Sequence, residues 1–330
     1  MNKKTIVVFG GAGYVGSVLV PKLLNENYKV KVFDIFWYGK KVFSGHIGNK
    51  NLELYEGDIR NSEAVLNVLQ GADDVIHLAC ISNDPSFDLN PELGKSINLD
   101  SFPSLVTNAR KQGVKRFIYA SSSSVYGVKS ELNVTENLTL EPLTDYSRFK
   151  SMCEGILMEE ASPNFQCTVL RPATICGVSP RQRFDLSVNI LTNHAINLSK
   201  ITVFGGTQFR PNLHIQDMAR AYIHVLNQDS KIAGKIYNVG GENLSLDQIA
   251  QNVRRAINEE IIIQHQNTDD LRSYRVDSNK IALELGFTPE KSIVDAVSDL
   301  KKSFGKNEFF NSLENPNYFN IKKMKELSLA

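Results

Sequence analysis

Tyr146 and Lys150 lie four residues apart in Tyr146-Ser147-Arg148-Phe149-Lys150. On a helix that spacing puts both side chains on one face. A tyrosine phenol has an ordinary pKa of about 10 and is a poor base at neutral pH. A nearby ammonium or other positive charge favours the phenolate and makes the pair a candidate for moving a proton on or off a hydroxyl. The same spacing arises by chance on exposed helices, so the surroundings must give it meaning. One such surrounding is the run Ser121-Ser122-Ser123-Ser124, directly after the β-branched and aromatic stretch Arg116–Ala120. If that stretch is a strand of a doubly wound sheet, its carboxyl end is where a ligand binds.

A second group of residues is suited to phosphate. Gly10-Gly11-Ala12-Gly13-Tyr14-Val15-Gly16 follows the apolar stretch Thr5–Phe9 and opens a helical pattern. Glycines in the spacing G-x-x-G-x-x-G permit a tight turn, close approach of a diphosphate to backbone N–H groups, and close helix–strand packing. Gly10, Gly13, Tyr14 and Val15 are the expected contacts. A second apolar stretch ends at Asp34. A carboxylate there accepts hydrogen bonds from an adenosine ribose and repels a 2′-phosphate, which favours NAD over NADP; Lys40 and Lys41 close by weaken that preference.

These groups need a scaffold, and the sequence alternates in the way that builds one. Candidate strands are Thr5–Phe9, Lys29–Asp34, Leu52–Glu56, Asp74–Leu78, Arg116–Ala120 and Cys167–Leu170, with amphipathic runs such as Val15–Asn25, Ser62–Leu69 and Ser101–Lys111 between them. Strand–helix alternation predicts a parallel sheet covered on both faces, an α/β fold of Rossmann type. The alternation loosens after Arg171-Pro172. Gly177–Arg183 reads as a loop, Leu186–Leu198 as a helix, Ile201–Phe204 as a strand, Asp217–Leu226 as a helix, Lys235–Val239 as a strand and Ser245–Asn258 as a helix. We expect a cofactor domain over residues 1–171, rejoined by residues 213–239. A smaller discontinuous C-terminal lobe for substrate is expected from residues 172–212 and 240–330. The tail after residue 305 is charged and weakly patterned.

Taken together, the glycine turn, the serine run before Val125-Tyr126-Gly127 and the Tyr146/Lys150 pair make the chain resemble the extended short-chain dehydrogenase/reductase family, over about residues 5–286. The resemblance implies a nucleotide-sugar enzyme with NAD as cofactor. It makes Ser122 the catalytic hydroxyl, four residues before Tyr126, with Tyr146 the base and Lys150 its partner. It also implies cofactor contacts from Asp58 and Ile59, from Leu78 and Ala79 of His77-Leu78-Ala79, and from Asn98, for which a plain helix cap is the other reading. Tyr237-Asn238-Val239-Gly240 resembles the family's late strand. Arg210, in Phe204–Arg210, and Arg272, in Asp270–Tyr274, resemble arginines that bind the substrate diphosphate, which suits the planar guanidinium. Ser82 and Ser123 complete the expected substrate contacts. Arg181 and Arg183 are expected to crowd the same region as Arg210.

The positions after Ser122 bear on the reaction. Dehydratases of this family commonly carry a carboxylate pair or Ser-Glu there, because losing water needs an acid and a base. Here Ser123 and Ser124 stand instead, which argues for epimerisation, with transient oxidation at C4, or for simple dehydrogenation. Arg171-Pro172-Ala173-Thr174 replaces the Asn-containing segment of the family's galactose epimerases and points away from UDP-galactose. A non-catalytic NAD-binding regulator would be expected to lack the Tyr or the Lys.

Composition narrows the remaining classes. The 330 residues carry 37 Lys plus Arg against 36 Asp plus Glu, a net charge of +1. That balance offers no field for nucleic acid or a membrane surface. No apolar run is long enough for a span. The four cysteines form no C-x-x-C pair and have no His at zinc-site spacing, so no metal is expected and the thiols read as reduced, in a cytoplasmic protein. The family resemblance implies a homodimer formed through the helices around 101–111 and 146–160.

Overall fold

The computed structural model describes residues 3–228, 232–269 and 272–329. Its first half alternates as expected: β1 (Thr5–Phe9), α1 (Gly16–Asn25), β2 (Lys29–Asp34), β3 (Leu52–Glu56), α2 (Ser62–Leu69), β4 (Asp74–His77), the short α3 (Asp84–Leu89) and α4 (Pro91–Lys95), α5 (Phe102–Lys111), β5 (Arg116–Ala120), α6 (Asp145–Glu159) and β6 (Gln166–Pro172). The second half contains β7 (Thr174–Cys176), α7 (Ser187–Leu198), β8 (Lys200–Phe204), β9 (Phe209–His214), α8 (Ile215–Leu226), β10 (Lys235–Val239), β11 (Glu242–Ser245), α9 (Leu246–Ile257), β12 (Ile262–Gln266), α10 (Asn279–Leu285), α11 (Ile293–Gly305) and α12 (Asn320–Glu326).

Seven strands pair in parallel in the order β10-β6-β5-β4-β1-β2-β3. Side chains of successive strand residues point to opposite faces, and β1 shows the consequence. Ile6 and Val8 enter the core shared with α1 and α8, including Leu19, Leu23, Met218 and Tyr222. Val7 and Phe9 enter the core on the other face, with Val65, Leu105, Val106 and Leu157. Strands buried on both faces carry near-continuous apolar runs, as β1 does.

The strand order reverses at β1, whose neighbours are β2 on one side and β4 on the other. A crevice opens beyond the carboxyl ends of adjacent strands at such a point. Phe9 and His77 are register partners at those ends, so Gly10 and Leu78 face one another across the crevice.

Beyond β6 a smaller assembly forms. β7, β9 and β11 make a three-stranded sheet, and β8 pairs with β12. Their helices enclose a separate core containing Val188, Leu191, Val203, Ile249, Val253, Ile293 and Val297. Residues 240–330 do not all lie there. Ile281 and Phe287 pack into the core of the main sheet beside Tyr237, and Met324 of α12 packs into the core on its other face.

Candidate active site

The crevice is a cleft of about 530 Å³. At its floor Gly10 has φ +77°, and a Cβ there would stand 2.5 Å from the Ala79 backbone nitrogen, so β1 and the β4 extension meet only because position 10 is glycine. A Cβ on Gly16 would stand 2.5 Å from the Gly11 carbonyl oxygen, so α1 can approach the turn only through glycine. No side chain caps α1 at Val15; Ser17 N donates to Gly13 O at 2.9 Å and Val18 N to Val15 O at 3.1 Å, so the N–H groups at the mouth of the turn, before Ser17, are the ones placed to meet an anion. Gly13, Tyr14, Val15, Asp58, Ile59, Leu78 and Ala79 line the same cleft. The Tyr14 hydroxyl is taken up elsewhere: it donates to the Gly177 carbonyl at 2.7 Å and accepts from Asn189 Nδ2 at 2.9 Å.

Asp34 lies at the end of β2, where its carboxylate accepts from Ala12 N at 2.9 Å and Phe36 N at 2.8 Å. Burial raises its pKa, and these two N–H groups oppose the rise. Asp58 forms an ion pair with Arg60 at 2.6 Å, which lowers its pKa. Asn98 occupies a widened π-type turn (Ser96–Asp100) before α5. It is not a cap: Nδ2 donates to Ile81 O at 2.9 Å and Oδ1 accepts from Ile81 N at 2.8 Å. Asn98 therefore acts on the cleft by clamping the loop after β4. His77 is a core residue, stacked on Tyr119 with centroids 5.8 Å apart, and burial lowers its pKa to about 3.

The catalytic candidates converge on the other wall. Thr144 caps α6 in a reciprocal pair with Ser147, which fixes the turn carrying Tyr146. Lys150, one turn on, donates from Nζ to the Ala120 carbonyl at 2.6 Å, at the end of β5. Nζ stands 4.9 Å from the Tyr119 ring centre and 5.9 Å from that of Tyr146, so its charge is held beside the phenol without a direct hydrogen bond. Ser122 Oγ accepts from Ser124 N at 3.1 Å and from Ser124 Oγ at 2.8 Å, which leaves its own proton to donate into the cleft. Burial, with Cys80 and Asp84 nearby, pushes the Tyr146 pKa well up; Arg183 and Ser122 oppose that rise. A base at this position therefore needs further positive charge, as an oxidised nicotinamide supplies.

Toward the smaller assembly, Ser123 Oγ lies 3.3 Å from the Tyr274 hydroxyl. Arg210 donates to the Arg272 carbonyl, and Arg272 forms an ion pair with Asp84, whose carboxylate also accepts from Thr144 Oγ1 at 2.5 Å. Asp270 and Leu271 of that segment lie outside the described residues. Asp84 carries no sequence signal beyond an ordinary helix start, yet it ties Arg272 to the α6 cap. Arg181 and Arg183 line the same cleft as Arg210 and Arg272 but bond to other partners, Arg181 to Asn320 and Arg183 to Ser82 and Asp185.

The model for the NAD dependent epimerase/dehydratase family matches residues 6–240. The chain belongs to that family. It is accordingly an NAD-dependent enzyme of the epimerase/dehydratase kind, as the resemblance to extended short-chain dehydrogenases/reductases implied. Among curated relatives, it is 28% identical over 327 residues to a UDP-glucose 4-epimerase of Dictyostelium discoideum, covering 90% of this chain and 94% of that protein. It is 26% identical over 321 residues to that of Bacillus subtilis, covering 89% and 95%. Among solved structures it resembles the UDP-glucuronic acid 4-epimerase of Bacillus cereus in complex with UDP-glucuronic acid and NAD, at TM-score 0.82 and 26% identity, covering 90% and 99%. A dTDP-glucose 4,6-dehydratase of Streptomyces venezuelae, at TM-score 0.84 and 23% identity over 94% and 99%, shares the fold. No helix among the described residues is long and apolar enough to cross a membrane.

Proposed function

We propose that the protein is a nucleoside-diphosphate-sugar epimerase that inverts one carbon, C4, of its sugar. The observation that carries this reading is the convergence of Tyr146, Lys150 and Ser122 on one wall of the cleft with hydroxyls, not carboxylates, at positions 123 and 124. The named 4-epimerases among its relatives support it.

Tyr146 takes the proton from the sugar hydroxyl. Ser122 donates a hydrogen bond to the same oxygen and keeps it pointed at the phenol. Lys150, anchored on Ala120, holds a positive charge beside the ring and favours the phenolate. NAD, which the Gly10–Gly16 turn and Asp34 would hold, would supply the acceptor for the hydride of the sugar carbon and the donor for its return to the opposite face. Tyr146 gives its proton back as the hydroxyl re-forms. Arg210 and Arg272 serve the substrate diphosphate, with Ser82 and Ser123 as further contacts; the residues between β7 and β9 with those of β11–α11 form the substrate lobe. Asp34 and Asn98 act on the cofactor side, Asn98 through the Ile81 loop.

We further infer a homodimer through α5 and α6. Leu157 is buried in the main core and Phe149 and Ile156 pack on it, which leaves Met152, 50% exposed, as apolar surface on α6. Light scattering of the eluted protein at twice the chain mass is the expected result.

Proton NMR of UDP-, dTDP-, GDP- and CDP-sugars incubated with the protein and NAD tests the activity. A new anomeric signal from a sugar of unchanged mass is expected, and Tyr146→Phe should lower its rate by about 10²–10⁴-fold. A keto sugar accumulating with NADH, or full turnover by Tyr146→Phe, contradicts the proposal.

A further inference from the structure

Arg181 and Arg183 are buried, 4% and 7% exposed, yet their guanidinium groups are not fully bonded. Arg181 lies flat on the Tyr38 ring, 3.6 Å from its centre, and Nη2 donates to Asn320 Oδ1; Nε and Nη1 have no hydrogen-bond acceptor. Arg183 gives Nε to Asp185 Oδ1 at 2.8 Å and Nη1 to Ser82 Oγ at 3.0 Å; Nη2 has none. A buried charged donor without an acceptor is costly, and such groups call for an explanation. Asp185 balances only one of the two charges, so the pair keeps a surplus positive charge at the cleft wall.

The position of the pair identifies the missing acceptor. Arg181 N donates to Ser17 Oγ at 3.3 Å, and Ser179 Oγ donates to Tyr14 O at 2.7 Å, so the 179–183 loop rests on the first turn of α1. Arg181 is close enough to Asp34 for its charge to oppose the rise that burial imposes on that carboxyl's pKa. Ser82 belongs to the loop after β4. The two guanidinium groups therefore overhang the space between the glycine turn, the ribose-reading Asp34 and the β4 loop. Asn320 fixes them from the tail: Nδ2 donates to Ser82 O and Oγ, each at 3.1 Å, while Oδ1 accepts from Arg181 and from the Tyr38 hydroxyl at 3.0 Å.

We propose that Arg181 and Arg183 are cofactor-binding residues that clasp the NAD diphosphate from the side opposite the glycine turn, with Asn320 of α12 as their positioning residue. The cofactor is then gripped by the chain on both sides. Planar guanidinium forks match phosphate oxygens, which would serve as acceptors for the three unbonded nitrogens, Nε and Nη1 of Arg181 and Nη2 of Arg183.

The test needs no turnover, so it stands or falls apart from the proposed epimerase activity. The single tryptophan, Trp37, lines the cleft, and quenching of its fluorescence reports cofactor binding. Titrate wild type, Arg181→Met and Arg183→Met with NAD, ADP-ribose, adenosine and UDP, with Arg→Lys at each position as folding-safe variants. Each Met variant should weaken NAD and ADP-ribose about tenfold or more, the loss of a charged hydrogen bond, with adenosine and UDP changed less than about twofold on the same scale. The Lys variants should fall between, and Asn320→Ala should weaken NAD in the same direction. Weaker UDP binding with NAD unchanged would assign the pair to the substrate. Equal loss for adenosine, or no loss for any ligand, would make it structural. Each of these results overturns the proposal.

Discussion

Tyr146 and Asp34 in the cleft and His77 in the core show how burial sets three ionisable groups differently. Burial raises Tyr146, so its basicity depends on positive charge brought beside it. Asp34 keeps its carboxylate oriented by two backbone N–H groups; Asp34→Ser should cut the preference for NAD over NADP about tenfold or more, measured as the ratio of dissociation constants, and an unchanged ratio would remove Asp34 from ribose recognition. His77 is held neutral, its pKa lowered to about 3. The unfolded chain binds a proton at this residue below about pH 6.5 while the folded chain does not. Stability from this group is therefore full above pH 6.5 and falls as pH drops toward 3, by about 1.4 kcal/mol at pH 5.5. Denaturant melts of His77→Phe against wild type at pH 7.5 and 5.5 should show a smaller acid loss in the variant; an equal loss would mean that His77 is protonated in the fold.

At the scale of elements, much of the scaffold was legible. β1, β2, β3, β5 and β10 have the expected ends because β-branched and aromatic runs there are bounded by glycine or polar turns. The hold of Asn98 on the Ile81 loop was not legible beside the two readings of a cofactor contact and a helix cap, because nothing local marks a π-type turn whose amide reaches back to Ile81. Arg181 and Arg183 stood out as charged residues in a loop, but their partners depend on how 179–183 docks on the start of α1, a tertiary contact. α12 was unreadable because its seven residues bury little beyond Met324 and Asn320. The family's late strand, in contrast, has a physical role: Asn238 of β10 accepts from the Tyr126 hydroxyl at 2.7 Å, Tyr126 accepts from Arg171 at 2.8 Å, and Arg171 pairs with Glu154 of α6 at 2.6 Å, both side chains nearly fully buried. This chain joins β6, α6 and β10 beneath the Ser122 loop, and Arg171 is not among the residues that line the cleft. Arg171→Met should destabilise by about 3–5 kcal/mol in denaturant unfolding, since it strands a buried carboxylate, and Glu154→Met with Arg171→Met should recover most of that loss. A mild single variant would mean that water reaches the pair.

For the whole molecule, the strand reversal at β1 creates the crevice, and later segments complete it. β9 brings Arg210, α6 brings Tyr146 and Lys150, and the tail brings Asn320, so segments far apart in the chain line one cleft. An enzyme that oxidises and re-reduces one carbon must keep cofactor and keto sugar enclosed between the two hydride transfers, and a cleft closed from several directions suits that need. The most direct measurement is turnover of an accepted nucleotide sugar in D2O, followed by NMR and mass analysis. Hydride passed to the cofactor and back predicts an inverted carbon bearing no solvent deuterium and a sugar of unchanged mass. Deuterium at that carbon, or a product that has lost water, would contradict transient oxidation and re-reduction by this site.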